Sequence, residues 1–376
     1  METAGPLRFL GFNNLRHVMF PLLLNKLISR LRSLGRGARG RPARSPRGEF
    51  SAPGKRINLA LQGGGAHGAF TWGVLDQILE DGRLSIAGLS GTSAGAMNAV
   101  VLADGLARGG PDEARARLAE FWRAASFGGN LPELQRGVVE RLFSFMPQHG
   151  APWIGALSRY LSPYDLNPLN INPLKDLIER FVDFEAIRAG ERELFVSATN
   201  VLTGELRVFA RAEITPQAVM ASACLPLLFR AVEIEGEPYW DGGYSGNPAI
   251  LPFLPPADAA DVLVVQINPR VRHQAPTSTR DIMTRVNEIT FNAPLLAELR
   301  AMKLLGDRRL RLHRIVMNDL RGPFDARSPL NTDFEFFEML KKLGQRATRR
   351  FLDAHLDDIG RRSTIDRRVE SHAELV

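Results

Sequence analysis

The sequence predicts an α/β fold, a mixed and mainly parallel sheet flanked by helices, on three observations. Ile57–Leu61 is a short strand-like run that enters a glycine loop and then an apolar helical stretch, Ala69–Leu79. A second run, Ser85–Leu89, enters another glycine loop and another helix, Ala96–Ala107. Further on, Val262-Leu263-Val264-Val265 is too branched and apolar for anything but a buried strand. Strand, helix and strand at this spacing require a right-handed parallel crossover.

The chain's 376 residues suffice for one large domain or two small ones. With 44% hydrophobic and 24% charged residues, wholesale disorder and a multispanning membrane protein are both excluded. The net charge of +7 is concentrated at one end, because residues 1–56 hold 12 of the 48 Lys and Arg but only Glu2 and Glu49 among the acids. The remaining chain is close to neutral, so it is not a basic nucleic-acid-binding domain. The single Cys224 excludes a disulfide within the chain and a zinc site of several thiolates. It fits a reducing compartment, and a cytoplasmic, peripherally membrane-associated protein is expected.

Residues 1–55 read as a basic amphipathic arm with a flexible linker, and residues 56–376 as the ordered domain. In the arm, Phe20, Leu23, Leu24, Leu27, Ile28, Leu31 and Leu34 recur at helical spacing. Its longest apolar run, Val18–Leu24, contains Pro21 and falls far short of the roughly 20 residues a spanning helix needs. Asn25 and Lys26 follow where a signal cleavage site would require small residues. A basic helix with a Leu/Phe stripe suits a membrane surface, and packing of the stripe on the body is the alternative.

The first loop, Gly63-Gly64-Gly65-Ala66-His67-Gly68, matches a dinucleotide fingerprint in its glycines alone. That fingerprint needs an acid about 20 residues on to hold a ribose, and here the second strand ends in Leu89-Ser90-Gly91. No nucleotide cofactor is expected. The second loop, Gly91-Thr92-Ser93-Ala94-Gly95, is a nucleophile elbow: its glycines relieve crowding at a sharp turn that lifts the Ser93 hydroxyl off the sheet. The following helix offers free amides and a positive dipole end. Both loops then lie at the carboxyl ends of adjacent parallel strands, where such sheets bind ligands. The amides of Gly63, Gly64, Gly65 and Ala66, with that of Ala94, are the candidate oxyanion hole.

Downstream, Leu194–Thr199 and Leu206–Phe209 form a hairpin, and a strand pair ends at Trp240-Asp241-Gly242-Gly243. With these residues in place the chain resembles the patatin-like phospholipase family. Gly63-Gly64-Gly65-x-x-Gly68, Gly91-Thr92-Ser93-Ala94-Gly95 and Asp241-Gly242-Gly243 match its signatures in order, and Ala221-Ser222-Ala223-x-x-Pro226 and Asn247-Pro248 are similar to it. The likeness covers residues 57–255, leaving 256–376 as a C-terminal extension. It implies a patatin-like fold, Ser93 and Asp241 as a catalytic dyad, a serine acyl-enzyme, a lipid or ester substrate, and neither metal nor cofactor. One departure stands out: the family usually carries Arg or Lys at the position of His67, so His67, like Gly68, Gly242 and Gly243, is read as supporting the site.

Other readings remain open at this stage. His273, His313, His355 and His372 follow Asp241, so chain order permits a Ser-His-Asp esterase. The substrate class extends to a polyester of the polyhydroxyalkanoate type, and the basic arm suits a catalytically silent membrane-binding module. Phe143, Phe145, Met146, Trp153, Ile154 and Tyr160 suit an acyl-chain groove or a core, and Asp165–Asn172 reads as an irregular connector. Residues 281–305 and 333–353 are helical by periodicity, with Arg311–Met317 a strand between them and a polar tail at the end.

Overall fold

A computed structural model of the chain describes residues 54–126, 162–167, 170, 172–254, 259–272, 274–305, 310–317 and 333–365. The arm, the aromatic residues between Phe143 and Tyr160, and the polar tail lie outside them. The elements run β1 (Lys55–Leu61), α1 (Gly68–Asp81), β2 (Leu84–Gly91), α2 (Ala94–Ala124), α3 (Pro163–Leu166), α4 (Pro173–Phe181), α5 (Phe184–Ala189) and β3 (Glu193–Asn200). They continue β4 (Leu206–Ala210), α6 (Pro216–Ser222), β5 (Val232–Ile234), β6 (Glu237–Asp241), β7 (Asp261–Gln266), α7 (Thr279–Leu305), β8 (Arg311–Val316) and α8 (Phe334–His355).

The strands form one sheet in the order β5-β6-β3-β2-β1-β7-β8, with β4 also paired to β3. The pairs β1–β2, β1–β7, β2–β3 and β7–β8 are parallel. The pairs β3–β4, β3–β6 and β5–β6 are antiparallel. This is the mixed, mainly parallel sheet that the sequence implies. Strand alternation sorts the core to two sides. Ile57, Leu59, Leu61, Leu263 and Val265 face the layer holding Phe70, Trp72, Val100 and Phe337. Ala60, Val262 and Val264 face Leu295, Leu299 and Met302 of α7.

Two elements differ from the sequence expectation. α2 continues past Ala107 to Ala124 across a break at Gly110, whose φ of 76° only glycine adopts readily, followed by Pro111. The two halves are tied by the fully buried Asp104, which ion-pairs with Arg108 at 2.9 Å and with Arg117 at 2.8 Å. The 165–172 connector contains a helical turn, α3, because Ser162 and Asp165 cap each other's backbone amides and Pro163 needs no amide partner.

α8 crosses α1 at a point where neither chain has room for a side chain. A Cβ on Gly344 would lie 2.1 Å from the Phe70 carbonyl, and one on Gly73 would lie 2.0 Å from the Lys341 carbonyl. Gly→Ala inside a helix ordinarily stabilises by about 1 kcal/mol. Here the sign reverses, and Gly344→Ala is expected to destabilise by about 1–3 kcal/mol through overpacking, read as a lower urea midpoint at unchanged slope.

Candidate active site

β1 and β2 run side by side in register from Lys55↔Leu84 to Leu61↔Gly91, so the loops at their carboxyl ends are brought face to face. The approach leaves no space for side chains. A Cβ on Gly63 would lie 2.7 Å from both the Ser93 Cβ and the Thr92 carbonyl, and one on Gly95 would lie 2.2 Å from the Leu61 carbonyl. A Cβ on Gly91 would meet the Gly95 carbonyl at 2.5 Å, and one on Gly68 would meet Ala94 Cβ at 2.7 Å. Gly63, Gly68, Gly91 and Gly95 are therefore requirements of close packing.

Ser93 adopts φ 55° and ψ −124°, a strained conformation for a residue with a side chain, and it stands at the N-terminus of α2. Its own amide donates to Ser222 Oγ at 2.9 Å, which fixes the elbow against the end of α6. Thr92 and Ser90 tie the same strand end outward, their hydroxyls donating to the carbonyls of Gly246 and Ala249, each at 2.7 Å.

Asp241 closes β6, opposite Ala198 of β3, and its amide donates to the Cys224 carbonyl at 2.8 Å. The carboxyl is completely buried. Oδ1 accepts the Gly243 amide at 2.7 Å. The Ser93 hydroxyl is a hydrogen-bonding neighbour that lowers the carboxyl's pKa, while Oδ2 has no hydrogen-bond partner among the described residues that meets the geometric criteria. Burial pushes the carboxyl up to about 7, against the pull of the Gly243 amide and the Ser93 hydroxyl. A Cβ on Gly242 would strike the Ser197 carbonyl at 2.2 Å and one on Gly243 the Phe291 ring at 2.8 Å, which explains the two glycines after the acid.

The glycine loop divides into a held part and a free part. Gly63 is held: its amide donates to Asn247 Oδ1 at 2.7 Å and its carbonyl accepts from Asn268 Nδ2 at 2.7 Å. It therefore drops out of the predicted oxyanion donors, because its N–H is already spent. The amides of Gly64, Gly65, Ala66 and Ala94 have no partner among the described residues. Gly65, at φ 60°, turns the loop and is the exposed member of the set.

His67 is buried and its ring lies 6.4 Å from that of Phe336. Burial holds its pKa down to about 4, so the imidazole is neutral at pH 7 and brings no cation to the loop. Of the other histidines, His313 is occupied by Asp261 at 3.0 Å and Thr364 at 3.1 Å, and His355 by Asp358 at 3.1 Å. His273 and His372 lie outside the described residues. Among the described residues no group of three His, Cys, Asp or Glu is placed to hold a metal ion. No described helix is long and apolar enough to cross a membrane.

A cluster of buried amides, unread as a unit in the sequence, supports the loop. Gln62 Oε1 accepts the amides of Ile267 and Asn268 at 2.9 and 2.8 Å, and Gln62 Nε2 donates to Asn292 Oδ1 at 3.1 Å. Asn247 Nδ2 donates to the Phe291 carbonyl, and Gln266 Nε2 donates to Asn292 Oδ1, both at 3.1 Å. The available signal was amide side chains at the ends of two buried strand runs, Gln62 after β1, and Gln266 ending β7 with Asn268 two residues on.

The model of the patatin-like phospholipase family matches residues 59–254. No curated protein matches the chain. Among solved structures the chain is similar to VipD from Legionella pneumophila, with 18% identity and a TM-score of 0.37 over 81% of this chain and 68% of that one. It is also similar to human GIVD cytosolic phospholipase A2 in complex with methyl gamma-linolenyl fluorophosphonate, with 13% identity and a TM-score of 0.40 over 84% and 60%. A third likeness is to the ExoU–SpcU complex from the type III secretion system of Pseudomonas aeruginosa, with 14% identity and a TM-score of 0.35 over 85% and 60%. The chain spans 60% of the length of the second and third of these chains.

Gln62→Ala leaves the buried amides of Ile267 and Asn268 without their acceptor. At about 1–3 kcal/mol for each of the two orphaned groups, a loss of about 2–6 kcal/mol is expected in urea unfolding. Faster hydrogen exchange at Gly63, whose amide Asn247 holds, is expected with it.

Proposed function

The chain belongs to the patatin-like phospholipase family, and from that premise we propose that it hydrolyses lipid acyl esters through Ser93 and Asp241. The observation that carries this reading is the contact between a strained serine at a helix N-terminus and a buried carboxyl of raised pKa, beside free backbone amides. An ordinary aspartate, with a pKa near 3.9, is a weak base. Burial makes Asp241 a competent one near neutral pH.

In this mechanism the Asp241 carboxylate takes the hydroxyl proton of Ser93 as Oγ bonds to the ester carbonyl carbon. The carbonyl electrons move to oxygen, and the amides of Gly64, Gly65, Ala66 and Ala94 hold that oxyanion. Asp241 returns the proton to the departing alcohol as the C–O bond breaks, leaving the acyl group on Ser93. Water then attacks the acyl carbon and gives a proton to Asp241; the C–Oγ bond breaks, Asp241 returns that proton to Ser93 Oγ, and the fatty acid leaves. The neutral His67 adds no charge, so the loop amides and the α2 dipole carry the electrostatic stabilisation.

A fluorophosphonate probe is expected to label wild type and not Ser93→Ala; a folded wild type that resists labelling would count against the assignment. Turnover of wild type is expected to rise tenfold per pH unit and level off above about 7, since only the carboxylate accepts the proton. Asp241→Asn removes that limb along with most turnover.

The same group sets a stability signature. Asp241 has its folded pKa raised, so its contribution is fully present below the unfolded value and is lost as pH rises through about 7. Asp241→Asn is therefore expected to melt above wild type at pH 9, an advantage that fades toward pH 4, as followed by thermal unfolding.

A further inference from the structure

The strand order gives the site a direction. Asp241 ends β6, Ser93 follows β2 and the free amides of the glycine loop follow β1, and the sheet runs β6-β3-β2-β1. The acid and the loop therefore stand on opposite flanks of the serine. An ester whose carbonyl oxygen turns to the loop presents its alcohol to the acid, which protonates that alcohol as it departs.

Tyr244 is the residue through which the acid's turn reaches solvent. The turn is fixed from within: the Asp241 carboxyl accepts the Gly243 amide at 2.7 Å, and the amides of Ser245 and Gly246 donate to the Gly242 carbonyl at 3.0 and 2.8 Å. Ser245 Oγ lies 2.7 Å from Thr199 Oγ1 of β3. Asp241, Gly242 and Gly243 are buried, whereas Tyr244 is 37% exposed. Its ring stands edge-on at 5.3 Å from that of Phe291, which also lies against Gly243.

The hydroxyl of this braced ring is unspent. Among the described residues it makes no hydrogen bond. Burial, with the neighbouring Asp241 and Cys224, pushes it up to about 12, so it remains a donor near neutral pH. A phenol that is partly buried beside the base, yet has no partner in the protein, is suited to an oxygen of a bound molecule.

We propose that Tyr244 selects the alcohol portion of the ester, its O–H donating to an oxygen carried on that portion, as on a glyceryl group. The proposal rests on the hydrolase reading and names the part of the substrate recognised on the acid's flank. The acyl chain makes no demand on this residue.

The test compares glyceryl monobutyrate with propyl butyrate, two soluble esters that share an acyl chain and differ in the free hydroxyls of the alcohol. The ratio kcat/KM covers the steps up to alcohol release, so hydrolysis of the common acyl-enzyme does not enter it. Tyr244→Phe keeps the ring against Phe291 and removes only the donor. Its kcat/KM for the glyceryl ester is expected to fall about three- to tenfold, the worth of one neutral hydrogen bond, while that for the propyl ester stays at the wild-type value. The pH limb set by Asp241 is expected to stay in place.

Equal losses on the two esters, or a shifted pH limb, would overturn the proposal and make Tyr244 a positioning residue for Asp241. No loss on either ester would overturn it as well. The same pair is also read without turnover, as equilibrium binding to the chain carrying Ser93→Ala, by ligand-observed NMR. There Tyr244→Phe is expected to weaken the glyceryl ester and leave the propyl ester unchanged. That result, with a wild type that hydrolyses neither ester, would uphold the contact and remove the hydrolase reading alone. A chain that neither binds nor hydrolyses either ester would overturn both.

Discussion

The constraint on which this site depends is the approach of two loops closer than side chains allow. Gly63 lies against Ser93, Gly95 against the carbonyl of Leu61, and Gly68 against Ala94. Adjacent parallel strands put the two loops at the same edge of the sheet, but only glycines let them touch. The contact brings the loop that carries the free amides beside Ser93. It also forces Ser93 into a positive φ, a strain that the tether to Ser222 and the packing of α2 sustain.

Two aspartates show how position in this sheet decides chemistry. Asp261 is also desolvated, yet hydrogen bonds from His313 and Arg311 and the Gly360 amide outweigh that cost and hold it well below the usual carboxylate range. It is a structural anion at the amino end of β7. Asp241, at the carboxyl end of β6, sets burial against only the Gly243 amide and the Ser93 hydroxyl, and its pKa rises. A carboxylate satisfied by cations is inert, whereas one left nearly alone keeps an affinity for protons. Neutral His67 preserves that condition by bringing no positive charge to the loop.

The support beneath the loop is polar and buried, which makes it sensitive to loss of any member. Gln62, Asn247 and Asn292 use both ends of their amides and Asn268 holds the Gly63 carbonyl with its Nδ2, so a single truncation orphans partners in several elements. α7 links this layer to the surface. Asn292 enters the amide cluster, Phe291 packs on Gly243, and Glu298 receives the amides of Ile250 and Leu251 from within the core.

By itself the sequence determined the parallel strand-helix-strand unit, the elbow, and the motif residues of the site, because strand runs, helical periodicity and glycine spacing are local properties. It also placed the later strands and both long C-terminal helices. It did not reveal that Gly63 spends its amide on Asn247, that Ser222 pins Ser93, or that α2 continues past Gly110 and Pro111 once Asp104 joins its halves. Nor did it exclude His313 as a partner for Ser93; the structure does so by burying that ring against Asp261. These decisions rest on residues distant along the chain, and a hydrogen bond between such residues exists only once the sheet has brought its strand ends together.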